Sequence, residues 1–106
     1  MTNLQSKAYE LLKTVPKGRV TTYKALAEAI GSKAYRAVGQ YMRHNPYAPH
    51  VPCHRVVASN GTIGGFKGSK NGAHITQKKS LLTKEGIGIT GNRIEHFASV
   101  LFTFNN

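Results

Sequence analysis

The most informative segment of the sequence is TTYKALAEAIGSKAYRAVGQYMRHNP, residues 21–46. Thr22 is placed to cap a first helix that ends at Gly31, and Ser32 is placed to cap a second helix that runs to about His44. Apolar residues recur at helical spacing in both helices. Two short helices joined by a Gly–Ser turn are the outline of a helix-turn-helix.

The second helix carries small residues beside arginines. Gly39 costs about 1 kcal/mol of helix stability relative to Ala. Together with Ala37 it leaves a shallow surface next to Arg36 and Arg43, and such a surface lets a helix backbone approach a nucleic-acid groove. The same small residues would also suit close packing against another helix, so the spacing leaves both interpretations open.

Residues on either side of this stretch add further elements. Leu4, Ala8, Leu11, Leu12 and Val15 recur at helical spacing, with Thr2 and Gln5 as a possible capping box before them. Pro16-Lys17-Gly18 is expected to end that helix. Three prolines within residues 46–52 exclude regular helix there and predict a stiff connector that leads to Cys53.

The C-terminal half predicts short strands and one more long helix. Val56-Val57 and Thr62-Ile63 flank a tight turn at Asn60-Gly61. A helix is expected from Ile75 to about Lys84, followed by a pairing of Ile87 and Ile89 with Arg93-Ile94. For residues 97–104 the pattern does not separate helix from strand. The predicted fold class is mainly α with short strands, a winged helix-turn-helix-like DNA-binding domain, with residues 1–106 as a single domain.

The composition limits the chemistry. Fifteen Lys and Arg against four Glu give a net charge of +11, and the sequence contains no Asp. Paired-carboxylate catalysis and carboxylate-built metal sites would have to come from the four Glu, which excludes most such sites, and we expect no metal site. The excess of positive charge favours a polyanionic partner, most often nucleic acid, with an anionic membrane or plain solubility as alternatives.

Cysteine usage and hydropathy indicate the compartment. Cys53 is the single cysteine, so no internal disulfide forms. The N-terminus lacks the apolar stretch of a signal peptide, and no segment approaches the length of a membrane span. We therefore expect an intracellular protein that is not secreted, in the cytoplasm with the nucleoid or in the nucleus.

The surroundings of the thiol suggest reactivity. Cys53 lies in Pro52-Cys53-His54-Arg55. A thiol acts as a nucleophile in its thiolate form, which an adjacent base or cation favours. Adjacency in sequence does not guarantee side-chain contact, so a buried structural cysteine remains the alternative.

These blocks together resemble a known family. The chain is similar to the C-terminal domain of O6-alkylguanine-DNA alkyltransferases, also called methylated-DNA–protein-cysteine methyltransferases. The resemblance covers about two thirds of the chain and is carried by Val15-Pro16-Lys17-Gly18, Tyr23-Lys24-Ala25-Leu26-Ala27, Arg36-Ala37-Val38-Gly39, Met42-Arg43-His44-Asn45-Pro46, Pro52-Cys53-His54-Arg55-Val56-Val57, Gly64-Gly65-Phe66 and Leu81-Leu82-Thr83-Lys84-Glu85-Gly86.

The resemblance implies a single-turnover repair reaction without a cofactor. The family binds double-stranded DNA in the minor groove, flips the O6-alkylguanine out of the stack and transfers its alkyl group to the cysteine. Cys53 would be the nucleophile, His54 its base through a water, and Glu85 the residue that orients the histidine. The protein would act as a monomer.

The resemblance also implies binding residues. Arg36 is similar to the arginine that fills the vacated place in the base stack, and Tyr23 to the tyrosine of the guanine pocket. Lys78 matches a lysine near the pocket. The expected substrate-binding residues are Tyr23, Met42, Asn45, Val57, Phe66 and Lys67. The expected DNA-binding residues are Arg36, Ala37, Gly39, Arg43 and Arg55.

Departures from the family pattern keep other functions open. Family members usually carry a preceding domain, Phe66 stands where many relatives have Tyr, and residues 67–77 form a longer segment. One alternative is an alkyltransferase-like protein, which binds O6-alkylguanine without transfer and whose hallmark is the loss of the cysteine. The others are a helix-turn-helix regulator with a structural cysteine and, more remotely, a Cys-His hydrolase.

Overall fold

The computed structural model describes residues 3–31, 35–47, 50–64 and 72–104. The helices in these ranges are α1 (Asn3–Leu12), α2 (Tyr23–Ala29), α3 (Tyr35–Arg43), α4 (Ala73–Lys84) and α5 (Phe97–Val100), with a 3-10 turn at Cys53–Arg55. The strands are β1 (Thr21–Thr22), β2 (Val56–Val57), β3 (Ile89–Thr90) and β4 (Arg93–Ile94). The described chain is mainly helical with short strands, which confirms the predicted fold class.

The first helix of the predicted helix-turn-helix is capped as expected. Thr22 has an extended backbone, and its hydroxyl oxygen accepts a hydrogen bond from the backbone N–H of Ala25 at 2.9 Å. Helix α2 stops at Ala29, and Gly31 follows in the left-handed conformation with a φ of +76°. The Ser32 cap lies outside the described residues, whereas α3 runs as predicted from Tyr35 to Arg43.

The hydrophobic core lies where α1, α2 and α3 pack together. The core residues of these three helices include Ala8, Tyr9, Leu12, Leu26, Ala27, Val38 and Met42. Helix α1 ends at Leu12, earlier than the predicted Val15, because residues 13–15 turn back toward the next segment. Val15 is nevertheless buried, since it enters the core from this turn.

Strand β2 has a different partner from the one that its sequence suggests. The turn at Gly61 forms as predicted, with the Ala58 N–H donating to Thr62 O at 2.9 Å. Residues Val56-Val57, however, pair in parallel with β1, in the register Thr21 to Val56 and Thr22 to Val57. This long-range pairing attaches the segment after Cys53 to the segment before Tyr23.

The C-terminal part of the chain forms the predicted helix and most of the predicted hairpin. Helix α4 begins at Ala73 and is followed by an antiparallel pairing of Ile89 with Ile94. The prediction was wrong for Ile87, whose N–H donates to Leu82 O at the end of α4. The tail that the pattern left undecided forms the short helix α5 and then an extended residue, Leu101, that bridges to Val20. Within the described ranges, no helix combines the length and apolar character that a membrane crossing requires.

Candidate active site

Cys53 opens the 3-10 turn between the proline-containing loop and β2. Its backbone N–H donates to Val51 O at 2.8 Å, and the N–H of Arg55 donates to Pro52 O at 3.0 Å. The Cys53 carbonyl accepts the N–H of Val56. These bonds fix the backbone on both sides of the thiol, which is free and 5% exposed.

Asn45 holds the start of the loop that delivers Cys53. Its side-chain amide donates to Val51 O at 2.7 Å, and its side-chain oxygen accepts the Tyr47 N–H at 2.9 Å. The first bond joins the start of the loop to Val51, two positions before Cys53, and the second fixes the turn at Tyr47. Asn45 is therefore an internal support of this loop in the structure.

A carboxylate cluster, formed by His54, Arg55 and Glu85, lies beside the thiol turn. His54 Nε2 is 3.0 Å from Glu85 Oε2. Arg55 donates to both carboxylate oxygens, from Nε to Oε1 at 2.9 Å and from Nη2 to Oε2 at 2.7 Å. The bidentate geometry is the strong form of an arginine–carboxylate pair. It attaches the end of α4 to the turn that carries the cysteine.

The electrostatics of the cluster decide which histidine nitrogen carries the proton. Burial raises the pKa of Glu85, but the hydrogen bonds from Arg55 and His54, together with the positive charge of Arg55, outweigh this effect and hold the pKa below its ordinary value. Glu85 is thus an ionised carboxylate at neutral pH, which only accepts hydrogen bonds. His54 Nε2 must therefore be the donor, which leaves Nδ1 of the neutral ring with a lone pair that can accept a proton.

His54 itself is held neutral. Its side chain is 3% exposed, and burial lowers the pKa of its imidazole below the ordinary value. The hydrogen bond and the charge of Glu85 act in the opposite direction, while Arg55 and Lys78 add to the lowering. A neutral imidazole at physiological pH is the form that can act as a general base.

Arg55 is held by protein acceptors. Besides its two bonds to Glu85, it donates from Nη1 to Val15 O at 2.8 Å, and its side chain is only 11% exposed. These bonds make it part of the carboxylate cluster. Its expected contact with DNA stays a prediction.

Lys78 is a fully buried cation close to the site. Its ammonium group donates to the backbone carbonyls of Val56, at 2.8 Å, and of Ile63. Burial lowers the pKa of Lys78 to about 7, against an opposing effect of negative charge on Cys53. The lysine joins α4 to the two chain segments that follow the thiol.

The Tyr23 ring lies near Lys78 and against Gly64. Lys78 Nζ lies 6.0 Å from the centre of the Tyr23 ring. A Cβ placed on Gly64 would come within 3.3 Å of Tyr23 Cε2, so only glycine fits against this ring without displacement. Burial, and secondarily the charge of a Cys53 thiolate, raise the pKa of Tyr23 to about 12. The phenol therefore stays protonated and can donate a hydrogen bond.

Helix α3 separates an inner face from an outer face. Val38 and Met42 are buried in the core, and Arg36 and Arg43 are exposed. A Cβ added at Gly39 would meet nothing within 4 Å among the described residues. Gly39 therefore does not serve helix–helix packing here, which favours the interpretation that it leaves the surface open.

The remaining expected binding residues differ in what the structure says of them. Ala37 is half-buried on α3, and Met42 and Val57 are buried in the core, 7% and 0% exposed. Phe66 and Lys67 lie outside the described residues. Among the described residues, no group of three or more His, Cys, Asp or Glu side chains is gathered as a metal site would require.

One structural residue of this region was missed from the sequence. The Tyr9 hydroxyl donates to the backbone carbonyl of Tyr41 at 2.7 Å, which joins α1 to the last turn of α3. The Tyr9 ring also packs edge-on against Tyr47 of the loop, with centroids 5.9 Å apart. The helical spacing of α1 places Tyr9 next to the buried Ala8, but no local pattern indicates partners more than thirty residues away.

The fold is that of the alkyltransferase DNA-binding domain, a helix-turn-helix-like domain with a cysteine and histidine on its 3-10 turn. The family model described as 6-O-methylguanine DNA methyltransferase, DNA binding domain, matches residues 3–87. The chain belongs to this family.

Curated relatives are similar over most of this chain. A methylated-DNA–protein-cysteine methyltransferase of Cricetulus griseus is 41% identical over 98 residues, which cover 82% of this chain and 45% of the relative. The constitutive methylated-DNA–protein-cysteine methyltransferase of Bacillus subtilis is 43% identical over 70 residues, 65% of this chain and 42% of the relative. The chain thus spans less than half the length of these relatives.

Two solved structures illustrate the range of similar proteins. S. pombe Atl1, in complex with damaged DNA containing O6-carboxymethylguanine, superposes with a TM-score of 0.81 at 30% identity and covers 97% of both chains. The O6-methylguanine-DNA methyltransferase of Pyrococcus kodakaraensis superposes with a TM-score of 0.69 at 45% identity, covering 82% of this chain and 48% of that one. The expected family resemblance is confirmed.

Proposed function

We propose that this protein repairs O6-alkylguanine in double-stranded DNA by transferring the alkyl group to Cys53. The observation that supports the proposal is the carboxylate cluster, in which Glu85 accepts a hydrogen bond from His54, the residue that follows the free Cys53 in the sequence. Nucleophile, base and orienting acid are the three residue types that an activated thiol requires. Membership of the family supplies the substrate class.

The reaction is a single in-line displacement. The Cys53 thiol gives its proton to His54 Nδ1 through a water, and the thiolate attacks the alkyl carbon. A sulfur–carbon bond forms as the O6–carbon bond breaks, and the electron pair of that bond stays on the guanine. The guanine then takes up the proton from His54, so that thiol and alkylated base become thioether and normal guanine. The thioether is stable, and each molecule therefore acts once.

Binding to DNA is assigned to the outer face of α3. Its exposed Arg36 and Arg43 and its open surface at Gly39 suit close approach to a groove. Arg36 would enter the base stack in place of the flipped guanine. The net charge of +11 supplies phosphate contacts, so affinity should fall as the salt concentration rises.

The guanine pocket is assigned to residues around the thiol turn. Tyr23 would donate its hydroxyl proton to the base, and the Lys67 N–H would stabilise the departing oxygen. The supports of this pocket are Asn45, Met42, Val57 and Phe66. We further propose that the protein acts as a monomer. Its location would be that of duplex DNA, the nucleoid or the nucleus.

Mass spectrometry tests the transfer directly. After incubation with a duplex oligonucleotide that contains O6-methylguanine, we expect the peptide containing Cys53 to gain the mass of one methylene group, because methyl replaces the thiol hydrogen. The variant Cys53→Ser is the matched control and should bind the same duplex without modification. If Cys53→Ser still removes the methyl group, the assignment of the nucleophile is wrong.

Base extrusion by Arg36 needs its own experiment. Arg36→Ala should slow repair of the duplex substrate while leaving repair of a single-stranded substrate much less affected, because the single strand needs no extrusion. Arg43→Ala removes the same charge from the same helix and serves as the control. Unchanged repair of duplex by Arg36→Ala would contradict the role in the base stack.

A second candidate function is recognition of the lesion without transfer. Its support is the superposition on S. pombe Atl1 bound to damaged DNA, with a TM-score of 0.81 against 0.69 for the Pyrococcus kodakaraensis methyltransferase. The mass spectrometry experiment separates the two functions. An unmodified Cys53 in protein that stays tightly bound to the lesion duplex would favour recognition over transfer.

A further inference from the structure

The chain continues beyond the segment that the family model matches. That match ends at Ile87, and the structure describes a further stretch, residues 88–104, which we name the C-terminal segment. It contains β3, β4 and α5. It makes hydrogen bonds to two distant parts of the chain, residues 60–63 and residues 19–20.

The hairpin of the C-terminal segment holds residues 60–63. The Ile63 N–H donates to Asn92 O at 2.8 Å, and the Ile94 N–H donates to Gly61 O at 2.9 Å. The Phe97 ring covers Gly61 so closely that an added Cβ would lie 3.3 Å from its Cδ2. Backbone bonds and ring packing together fix the position of this stretch.

The end of the C-terminal segment holds residues 19–20. The Val20 N–H donates to Val100 O at 2.9 Å, and the N–H of Phe102 donates back to Val20 O at 2.6 Å. Arg19 adds two side-chain bonds, from Nε to Val100 O at 3.2 Å and from Nη2 to Leu101 O at 2.8 Å. The C-terminal segment is therefore hydrogen-bonded to the two residues immediately before β1.

Both stretches lead to Tyr23. Val20 is followed by β1 and then by Tyr23 at the start of α2, and Ile63 is followed by Gly64, which lies against the Tyr23 ring. The Ile63 carbonyl also accepts a bond from Lys78. Because interiors are close-packed, a small displacement at Val20 or Ile63 is passed on to the tyrosine rather than absorbed.

We propose that the C-terminal segment positions Tyr23 and Gly64 and thereby sets how strongly the site prefers an O6-alkylated guanine to an unmodified one. This inference rests on the proposed function, since Tyr23 is the assigned pocket residue. Arg19 and Phe97 are accordingly positioning residues, which touch no substrate but fix a residue that does. Residues that support a binding residue in this way control how precisely its side chain is placed against the ligand.

The experiment compares affinities for two duplexes that differ only in one O6-methylguanine. Fluorescence anisotropy titrations compare three proteins that all carry Cys53→Ser, so that no transfer occurs. One has no further substitution, one adds Arg19→Lys and one adds Phe97→Leu. Arg19→Lys keeps the positive charge but loses the paired hydrogen bonds to the Val100 and Leu101 carbonyls. Phe97→Leu keeps an apolar side chain but loses the ring contact with Gly61. We expect the preference for the lesion duplex to fall by about fivefold in each, with affinity for plain duplex unchanged.

Matched controls separate positioning from general stability. Lys17→Arg lies two residues from Arg19 on an exposed site, and Ser99→Ala lies in α5 beside Phe97, also exposed. Both controls should keep the full preference, and all proteins are compared at a temperature well below their melting points. If either positioning variant fails to fold, the other decides the result.

The outcomes distinguish the two proposals. A protein that prefers the lesion, and whose Arg19→Lys and Phe97→Leu variants prefer it equally, would overturn the role of the C-terminal segment. A parent protein with no preference for the lesion would instead overturn the proposed function. A loss of preference confined to the two positioning variants supports the inference.

Discussion

His54 Nε2 lies 3.0 Å from Glu85 Oε2, although the two residues are 31 positions apart. The same carboxylate accepts two bonds from Arg55, whose third bond reaches Val15 O. The histidine is thus held by an anion that is itself held by a cation. This arrangement keeps Nδ1 free on a ring that burial holds neutral.

Glu85→Gln should slow alkyl transfer and weaken the fold. The amide removes the charge that fixes the histidine tautomer, so we expect the single-turnover rate to fall at least about tenfold. The loss of charged hydrogen bonds should lower the free energy of unfolding by about 1–3 kcal/mol. Rapid-quench transfer assays and urea unfolding measure the two effects.

Glu10→Gln is the matched control for this variant. Glu10 forms an ion pair with Lys13 in which the side chains are 73% and 40% exposed, and exposed pairs contribute little. We expect wild-type rate and near wild-type stability. Equal behaviour of Glu85→Gln and Glu10→Gln would remove Glu85 from the mechanism.

The fall of the transfer rate at acidic pH should reflect the protonation of His54. Since burial lowers the pKa of His54, the transfer rate should fall only below the ordinary histidine value of 6.5. Glu85 opposes this lowering, so Glu85→Gln should move the midpoint to still lower pH. Transfer rates measured across this range, at saturating DNA, provide the test. A midpoint above 6.5 in the wild-type protein would contradict the assigned environment.

The free energy of unfolding should also depend on pH through the titration of His54. A histidine whose pKa is lowered on folding binds fewer protons in the native state than in the unfolded chain. Stability therefore rises with pH up to about 6.5 and is lost as the pH falls toward the lowered pKa. Urea unfolding of the wild type and of His54→Gln should differ in slope in that window, with the variant flatter.

Local sequence signals predicted the elements that local contacts form. The Thr22 cap, the end of α2 before Gly31 and the pairing of Ile89 with Ile94 all depend on residues within a few positions of one another. The family resemblance also paired His54 with Glu85. Their side chains are 3.0 Å apart in the structure, and their role in the reaction stays a prediction.

Long-range contacts were beyond the sequence. Val56-Val57 resembles half of a hairpin, and only the folded chain brings β1 within reach as its partner. No local pattern indicated that Arg55 donates to Glu85, thirty positions away, and to Val15 O. The family resemblance placed Lys78 near the pocket, but no sequence signal indicated that it is 0% exposed and bonded to two backbone carbonyls.

Gly39→Ala should have opposite effects on stability and on DNA binding. Alanine is the better helix former by about 1 kcal/mol, and the added methyl group meets no described residue. The same methyl group would stand between the α3 backbone and the groove, so affinity for duplex DNA should fall. Urea unfolding and anisotropy titration of one preparation show both effects.

Gln40→Ala is the control for this helix. It changes the exposed neighbour of Gly39 without adding bulk, and it should leave both the unfolding free energy and the affinity for plain duplex nearly unchanged. A Gly39→Ala protein that is more stable and binds DNA as well as the parent would show that the open surface at Gly39 is not a groove contact.

Lys78→Met should abolish a rise of stability at alkaline pH. Because the pKa of Lys78 is lowered to about 7 in the native state from 10.5, the unfolded chain binds more protons between these values. Stability of the wild type therefore gains up to about 1.4 kcal/mol per pH unit in this window, and the gain relative to Lys78→Met stops near 10.5. The measurement is the difference in unfolding free energy between the two proteins at several pH values, with the exposed Lys84→Met of the same helix as control. A difference that is independent of pH would mean that the ammonium stays charged against its two carbonyl acceptors throughout.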